Sequence, residues 1–331
     1  MEADRVGRKP PVRNLRPGLA LLALCGLGPV TGLLVSSQLM LSLLAQATFA
    51  AIFAIGVGFL IRQNGMVSFG HAAFFGLPGY LIGMLLPGAG LPAEVLIIGA
   101  VVLTGIAAFA IGLVIVRVHG IAFGMLTLAI GQGLYVAITR VRGITGGHDG
   151  INLRLPRELF GVPLKLLQQP QAMFIVAWLI LVAILVSIWF FSRSHWGRLT
   201  EGIRDNEERI RFLGYATLLP RALVFAASSV IAAIGGVLFV VYNTFISPDA
   251  VHWTASGSAL IMAILGGAGS TWGPALGAFV YFLLKHAAGE YTTHWLSIIG
   301  VALILVSVAF PTGLAGLVER RFSPARRGAA P

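Results

Sequence analysis

Long apolar runs, separated by short polar connections, account for most of the chain. About 20 consecutive apolar residues are needed to cross the hydrocarbon core of a bilayer, and the pattern contains about ten such runs. The third, eighth and ninth runs are interrupted by glycine and polar residues, as re-entrant half-helices are. The predicted spans are 19–35, 39–61, 68–86, 94–116, 121–138, 173–191, 222–242, 256–272, 273–287 and 294–310.

The fold class that follows is an all-α polytopic membrane protein with about ten transmembrane helices, or about eight if some are broken or re-entrant. Composition agrees, because 57% of residues are hydrophobic and only 11% are charged, against about 25% charged in a soluble domain. The 42 glycines are typical of membrane helices whose backbones approach closely. A soluble protein with a large core is therefore excluded. Cys25 is the single cysteine, so no internal disulfide is expected.

Basic residues orient the predicted spans. The net charge is +11, but the lysines and arginines cluster in the tails and one loop, so we predict no nucleic-acid partner. With the N-terminus in the cytoplasm, 17 of the 23 basic residues fall inside and six fall outside. This bias agrees with the positive-inside rule. Both termini are therefore predicted to be cytoplasmic, with membrane lipid around the spans.

The chain is predicted to consist of a basic N-terminal tail at 1–18, a transmembrane domain at 19–311 and a basic C-terminal tail at 312–331. The span at 19–35 follows basic residues, as a signal peptide does. Because its cleavage-site pattern is poor and another span begins almost at once, an uncleaved helix is favoured. Two long polar connections are an extracytoplasmic loop at about 139–172 and a cytoplasmic loop at about 192–221.

The predicted spans contain no acidic residue near their centres. Buried carboxylates normally mark ion coupling or proton relay, so a proton-driven or sodium-driven carrier is disfavoured. A phosphate-binding Gly-x4-Gly-Lys-Ser/Thr loop is also missing, since the glycine-rich stretch at 265–274 has no lysine. We therefore predict no catalytic residue, no metal ligand and no cofactor in this chain. If ATP drives transport, a partner binds it.

The most charged stretch of the chain lies in the predicted cytoplasmic loop. Its pattern predicts one short amphipathic helix over about 199–214, with Thr200 as the N-cap and Gly214 as the C-terminal stop. Arg204 and Glu208 stand four residues apart and are expected to pair. One apolar stripe is predicted from Ile203, Ile210 and Leu213, with Phe212 beside them. Such a helix is either a solvated or interfacial connector, or a docking helix for a partner.

Several motifs point to one family. Three motifs match that family and follow its order along the chain: NGMVSFGHAAFFG at 64–76, GIRDNEERIRFLGY at 202–215 and GGAGSTWGPALGA at 266–278. A fourth, weaker match is TGGHDG at 145–150. Together they resemble branched-chain amino-acid ABC transporter permeases of the LivM type. In that family the stretch at 202–215 is the cytoplasmic coupling loop. The long basic N-terminal tail and Thr312 depart from the pattern.

The resemblance implies an importer in the bacterial inner membrane. Two permease subunits, this chain with a sibling or with itself, would join two ATP-binding subunits and an extracytoplasmic solute-binding protein. The ATPase subunits would bind ATP and Mg²⁺. The implied solutes are branched-chain amino acids, or alternatively urea, short amides or aromatic acids. The residues that the resemblance assigns to ATPase coupling are Gly197, Arg198, Ile203, Arg204, Asp205, Asn206, Glu207, Glu208, Arg209, Leu213 and Gly214.

Glycine-interrupted segments in both halves of the chain indicate a transport pathway. Tight helix crossings explain the same small residues equally well, and His71 is also typical of a hydrogen-bonded interior histidine. The pathway candidates are Gly65, Ser68, Gly70, His71, Gln132, Gly266, Gly267, Gly269, Ser270 and Gly273. Candidate contacts with the binding protein, or else turn residues beside Gly150, are Gly146, Gly147, His148 and Asp149. A channel or secondary carrier that works without an ATPase is the alternative class, and an intramembrane enzyme is third.

Overall fold

The computed structural model describes residues 26–88, 90–291, 297–298, 300–301, 304–305, 309 and 312–322. Within them the chain is mostly helical. The helices are α1 (26–34), α2 (Gln38–Asn64), α3 (His71–Leu85), α4 (Ala93–Ile115), α5 (Ile121–Arg140), α6 (Arg142–Thr145), α7 (Leu164–Leu167), α8 (Pro170–Arg193), α9 (His195–Asp205), α10 (Glu207–Phe212), α11 (Leu218–Asn243), α12 (Trp253–Gly266), α13 (Gly273–Tyr291) and α14 (Gly313–Phe322). The strands are β1 (Ile151–Asn152), β2 (Glu158–Leu159), β3 (Val162–Pro163) and β4 (Phe245–Ile246).

Five of the described helices, α2, α4, α5, α8 and α11, are long and apolar enough to cross a membrane. Each coincides with a predicted span. The apolar helices α3 and α12 have only 15 and 14 residues, which at 1.5 Å per residue gives about 21–22 Å, less than a hydrocarbon core of about 30 Å. These two helices fall at the third and eighth runs, where the pattern is interrupted. Helix α1 (26–34) covers the second half of the predicted span 19–35, whereas most of the predicted span 294–310 and both chain ends lie outside the described residues.

Helices α2 and α11 form the centre of the bundle. Within their most apolar stretches, 78% of α2 and 67% of α11 is buried, against 28–33% of α4, α5 and α8. Glycines allow the central backbones to meet, as is usual between membrane helices. A Cβ atom on Gly56 of α2 would stand 2.7 Å from the carbonyl oxygen of Ser228 on α11. The three less buried helices therefore supply the surface of the bundle.

One end of the bundle, here called the strand end, carries the four short strands. β1 pairs with β4 in antiparallel register, with Ile151 opposite Ile246. β2 and β3 form a hairpin whose turn residue Phe160 donates its backbone N–H to the Glu94 carboxylate at 3.1 Å. The all-α prediction omitted these strands, because two-residue strands carry no sequence period and β1 and β4 are distant in the chain.

The opposite end of the bundle carries α9 and α10 and is here called the α9–α10 end. The prediction of one helix over 199–214 is wrong. The backbone is extended at Asn206, with φ −159° and ψ 95°, and divides the segment into α9 and α10. Thr200 is not the N-cap, because α9 begins after Ser194, whose hydroxyl accepts the Gly197 N–H at 3.2 Å. The Asn206 side chain in turn caps α10. Gly214, at φ +87°, follows α10 in the left-handed conformation typical of a helix end.

Candidate coupling and transport sites

Helix α9 lies against the end of α2. Ile203 is 4% exposed and faces the bundle. The buried Thr200 hydroxyl donates to the Gln63 side-chain oxygen at 2.7 Å. Arg204 donates to the backbone carbonyl of Arg62 at 2.5 Å. Gln63 in turn donates to the Glu201 carboxylate at 3.5 Å, so three side chains of α9 are hydrogen-bonded to the last turn of α2.

Arg62 extends this connection to the turn between α12 and α13. Its guanidinium lies 3.7 Å from the Glu201 carboxylate of α9 and also donates to the Thr271 hydroxyl. The predicted pathway candidate Gly65 follows at φ +67°, and a Cβ atom there would lie 2.9 Å from the Arg204 side chain. Gly65 thus permits a turn and a close contact with α9. Movement of α9 would act on α2 and on the α12–α13 turn together.

Helix α10 is held by a second, separate cluster centred on Glu207. One carboxylate oxygen lies 2.5 Å from Arg221 Nη1 and 2.6 Å from His119 Nε2. The other accepts from Arg211 at 2.5 Å and from the Thr217 hydroxyl at 2.7 Å. His119 belongs to the α4–α5 turn, and Arg221 to the first turn of α11. Glu207, which the resemblance assigns to ATPase coupling, therefore has these four partners within its own chain.

The surroundings of Glu207 keep it ionised. Burial raises the pKa of its carboxyl group, but the hydrogen bonds from Thr217 and His119 and the charges of Arg221 and Arg211 lower it by more. The resulting pKa is about 2, below the usual 4.5. The carboxylate is thus negatively charged at neutral pH and balances the 4%-exposed Arg221.

The apolar side chains of α9 and α10 do not form the single predicted stripe. Ile203 is buried in the bundle, whereas Phe212 is 90% exposed and Leu213 is 66% exposed. The break at Asn206 separates the two helices, so the helical spacing on which the stripe depended does not continue through it. Phe212 was left out of the predicted coupling residues. Its signal was present in the sequence, as an aromatic residue beside a leucine in the most charged stretch of the chain.

The predicted ion pair between Arg204 and Glu208 is also wrong. Arg204 instead donates to the neighbouring Asp205 carboxylate at 2.7 Å and 2.9 Å. Both residues of that pair are substantially exposed, and exposed pairs contribute little to stability. Gly197 is a packing residue, because a Cβ atom there would overlap the carbonyl of Phe191. The remaining predicted coupling residues that are exposed are Arg198, Asn206, Glu208, Arg209 and Gly214.

Among the pathway candidates, Ser68 and His71 are fully buried and hydrogen-bonded. The Ser228 hydroxyl donates to the Phe225 carbonyl at 2.8 Å, so it accepts from His71 Nε2 at 2.9 Å. His71 Nδ1 then accepts from the Ser68 hydroxyl at 2.8 Å. This network assigns a neutral His71 whose two nitrogens are both satisfied. The geometry is that of an interior histidine joining α3 to α11.

We expect the His71→Phe variant to be less stable, with the folded fraction transporting normally. The change leaves the buried Ser68 hydroxyl without an acceptor for its proton, and an unsatisfied buried group costs about 1–3 kcal/mol. The thermal midpoint in detergent should fall by several degrees, about 2–4 °C per kcal/mol. Ser187→Ala, which removes an exposed hydroxyl bonded within α8, is the control. Normal stability with lost transport would contradict the structural role of His71.

The glycine-rich candidates on α12 and α13 form a tight crossing. Cβ atoms on Gly266 and Gly273 would overlap the carbonyls of Gly273 and Gly267, respectively. Gly267 has φ +103°, and Ser270 caps α13 by accepting the Gly273 N–H at 2.9 Å. Only Gly269 of this group lies in open space. These residues therefore permit helix packing beside Arg62.

The remaining pathway candidates lie around α5. Gly70 packs against the Thr127 carbonyl, where a Cβ atom would overlap. Gln132 is partly buried, and its side-chain oxygen is enclosed without a hydrogen-bond partner among the described residues. Val67 and Phe69, in the connection before α3, are 39% and 37% exposed. Gln132, a polar pathway candidate on α5, therefore lies near the surface of the bundle.

At the strand end, the predicted binding-protein contacts form a tight turn. Gly146, Gly147 and Gly150 all have φ between +61° and +72°, a conformation that favours glycine. His148 and Asp149 are exposed on the turn. In the described part of the chain, no group of three or more His, Cys, Asp or Glu residues is arranged to hold a metal ion.

Comparison with known protein families decides the class. The family described as the permease component of branched-chain amino acid transport systems matches residues 39–308. The chain belongs to this family. The predicted resemblance is confirmed, and the permease is a multi-pass membrane transport subunit.

Individual relatives resemble the permease along most of its length. It is 24% identical over 283 residues to the high-affinity branched-chain amino acid transport system permease protein LivM of Salmonella typhimurium, covering 80% of this chain and 67% of that protein. A probable LivM of Methanocaldococcus jannaschii is 28% identical over 243 residues, covering 66% and 68%. The autoinducer 2 import system permease protein LsrC of Yersinia pestis is 28% identical over 282 residues, covering 81% and 76%. No solved structure matches the permease significantly.

Proposed function

We propose that this permease is a membrane-spanning subunit of an ATP-driven importer in the bacterial inner membrane, and that α9 and α10 couple it to an ATPase. The observation that carries the proposal is the exposure of Phe212 and Leu213 on a segment otherwise bonded to the bundle. Burying a phenylalanine in a partner contributes about 1.5–3 kcal/mol. Charged neighbours such as Asp205, Glu208 and Arg209 would fix the register of docking.

The proposed complex contains two ATP-binding subunits, which bind ATP and Mg²⁺, and a sibling permease or second copy of this chain. A solute-binding protein docks at the strand end, which then faces away from the cytoplasm. Co-expression with neighbouring genes tests the assembly: an ATPase should co-purify with the full-length permease in detergent. Purification of the permease without any ATPase, together with solute transport by the permease alone, would favour the channel or carrier alternative.

The pathway is proposed to run along the face of α5, beside Val67 and Phe69. An amide such as Gln132 is costly against lipid, because its polar atoms find no partner there. The Gln132 oxygen is enclosed in the single chain, so a polar solute would reach it only when α5 moves relative to its neighbours. We propose this face instead of the buried candidates Ser68 and His71. It supplies both a polar group, the Gln132 amide, and exposed surface.

The proposed solutes are branched-chain amino acids or related small polar molecules. LivM relatives are named for branched-chain amino acid transport, whereas LsrC is named for autoinducer 2 import. Urea, short amides and aromatic acids are the further alternatives. Uptake of labelled leucine into liposomes, competed by each alternative in the presence of the cognate binding protein, distinguishes them. Competition by leucine, isoleucine and valine alone supports the first assignment.

Five exposed cations lie at the strand end. We therefore expect the binding protein to dock there through an acidic surface. None of these cations forms a salt bridge within the described part of the chain, and complementary charge chiefly accelerates association. They are Arg140, Arg142, Arg154, Arg157 and Lys165.

We expect the double variant Arg154→Gln/Arg157→Gln to need about tenfold more binding protein for half-maximal transport, since steered association is about 10–1000 times faster than unsteered association. The defect should shrink as salt is raised. Arg117→Gln removes one exposed cation at the opposite end and is the control. An unchanged binding-protein requirement at low salt would exclude this docking surface.

A further inference from the structure

The Glu207 cluster joins more parts of the bundle than docking alone requires. Its Arg221 partner also donates toward Met66 Sδ at 3.8 Å, and the Arg221 backbone carbonyl accepts from the Asn64 side chain at 3.0 Å. Through Glu207, α10 is therefore bonded to α11 and to the α4–α5 turn at His119. Through Arg221, it is also connected to the end of α2 and to the segment that leads into α3.

The two docking helices are both connected to the end of α2, but their other bonds reach different elements. α9 is bonded to α2 and, by way of Arg62, to Thr271 in the α12–α13 turn. α10 is bonded through Glu207 to the start of α11 and to the α4–α5 turn. The extended residue Asn206 lies between them. A change in the angle between α9 and α10 would thus displace the α12–α13 turn relative to the start of α11 and the α4–α5 turn.

We infer that Glu207 is a positioning residue for transport, which passes the movement of α10 to α11 and α5. This inference rests on the proposed function, because it requires an ATPase that moves α10. The bonds suit the role: the Glu207 and Arg221 side chains are 16% and 5% exposed and their atoms are 2.5 Å apart, and charge-assisted hydrogen bonds of this kind are short and strong. α5 then carries the displacement to the face that bears Gln132.

The exposed Arg204–Asp205 ion pair does not share these properties, whereas the Arg62–Glu201 pair connects α9 to α2. Arg204 and Asp205 are adjacent in one helix, with side chains 34% and 67% exposed, so their pair connects nothing to the bundle. The bond between Arg211 and Glu207 is confined to α10. Within the cluster, Arg221 and His119 are the partners that belong to other transmembrane elements. They are the links through which Glu207 would act.

The test compares the solute transported per ATP hydrolysed in liposomes that contain the whole importer. Glu207→Gln should keep the ATPase bound and hydrolysing, while the ratio falls at least about fivefold, the lower end of measured coupling between sites. Glu94→Gln makes the same chemical change at the strand end and should leave the ratio unchanged. A ratio for Glu207→Gln equal to that of Glu94→Gln would overturn the inference.

A second variant covers the case in which Glu207→Gln fails to fold. His119 is 56% exposed, so His119→Ala removes only the link to the α4–α5 turn and should lower the ratio about twofold or more. An unchanged ratio in His119→Ala would remove α5 from the proposed route. ATPase binding by the unaltered permease is measured before either variant is compared. If the unaltered permease binds no ATPase at all, the proposed function itself fails.

Discussion

We expect the Phe212→Ala variant to bind its ATPase at least about 30-fold more weakly than the unaltered permease. Aromatic residues buried at the centre of an interface commonly contribute about 2 kcal/mol or more when truncated, and 1.4 kcal/mol corresponds to tenfold in affinity. Phe212 is 90% exposed in the single chain, so its removal takes nothing from the core. ATPase retained on immobilised permease, measured over a range of ATPase concentrations, gives the change in Kd.

Phe160→Ala is the matched control, because Phe160 is 59% exposed at the strand end. It should bind the ATPase normally, with the same amount of folded permease recovered. Normal ATPase binding by Phe212→Ala would show that the exposed end of α10 is not the docking surface. Equal losses in both variants would point to a general effect on the detergent-solubilised protein.

The Gly236→Val variant should lose most of its folded protein. A Cβ atom at Gly236 on α11 would overlap the backbone carbonyl of Phe75 on α3. Overpacking in a core typically costs about 1–3 kcal/mol when side chains can move aside; here two buried backbones would have to separate. The temperature at which half of the permease aggregates in detergent should fall by about 10 °C or more.

Gly99→Val provides the control, since Gly99 lies on the exposed face of α4, where a Cβ atom would have nothing within 4 Å. That variant should match the unaltered permease in yield and thermal midpoint. Equal stability of Gly236→Val and Gly99→Val would contradict the close crossing of α3 and α11. The pair therefore tests the packing of the bundle independently of any partner.

The long spans were predictable because hydrophobicity and length alone specify them. The run at 39–61 became α2, and the run at 222–242 became α11, each with only a few residues added at its ends. Burial of these two helices was not predictable, since lipid-facing and core-facing membrane helices are both apolar. The shortness of α3 and α12 was indicated by the glycine and polar residues that interrupt their runs.

The helical segment in the predicted cytoplasmic loop was predicted in position but not in geometry. A single helical period was read across Asn206, yet its side chain accepts the Arg209 N–H at 2.9 Å and begins a new helix. Local spacing favoured a pair between Arg204 and Glu208, whereas in the structure Glu207 forms a cluster with His119 and Arg221. Arg221 and His119 are distant in the sequence, so no local pattern marks their contact with Glu207.

The pathway candidates show the same division between composition and geometry. Ser68, His71 and Gly266 were singled out because small and polar residues interrupt their apolar runs. In the structure, the first two form a satisfied hydrogen-bond network and the third permits a backbone crossing. A sequence cannot distinguish these uses from a solute pathway, because each requires small or polar side chains within apolar helices.

The central claim is that this permease moves its solute only when an ATPase is bound at the α9–α10 end. The most direct measurement is uptake of labelled leucine into liposomes that contain the permease, its sibling, the ATPase and the binding protein, with ATP supplied on the ATPase side. We predict uptake that requires ATP and is lost with Phe212→Ala but not with Gly99→Val, the control on α4. Equal uptake by the permease alone, without ATPase or nucleotide, would contradict the account.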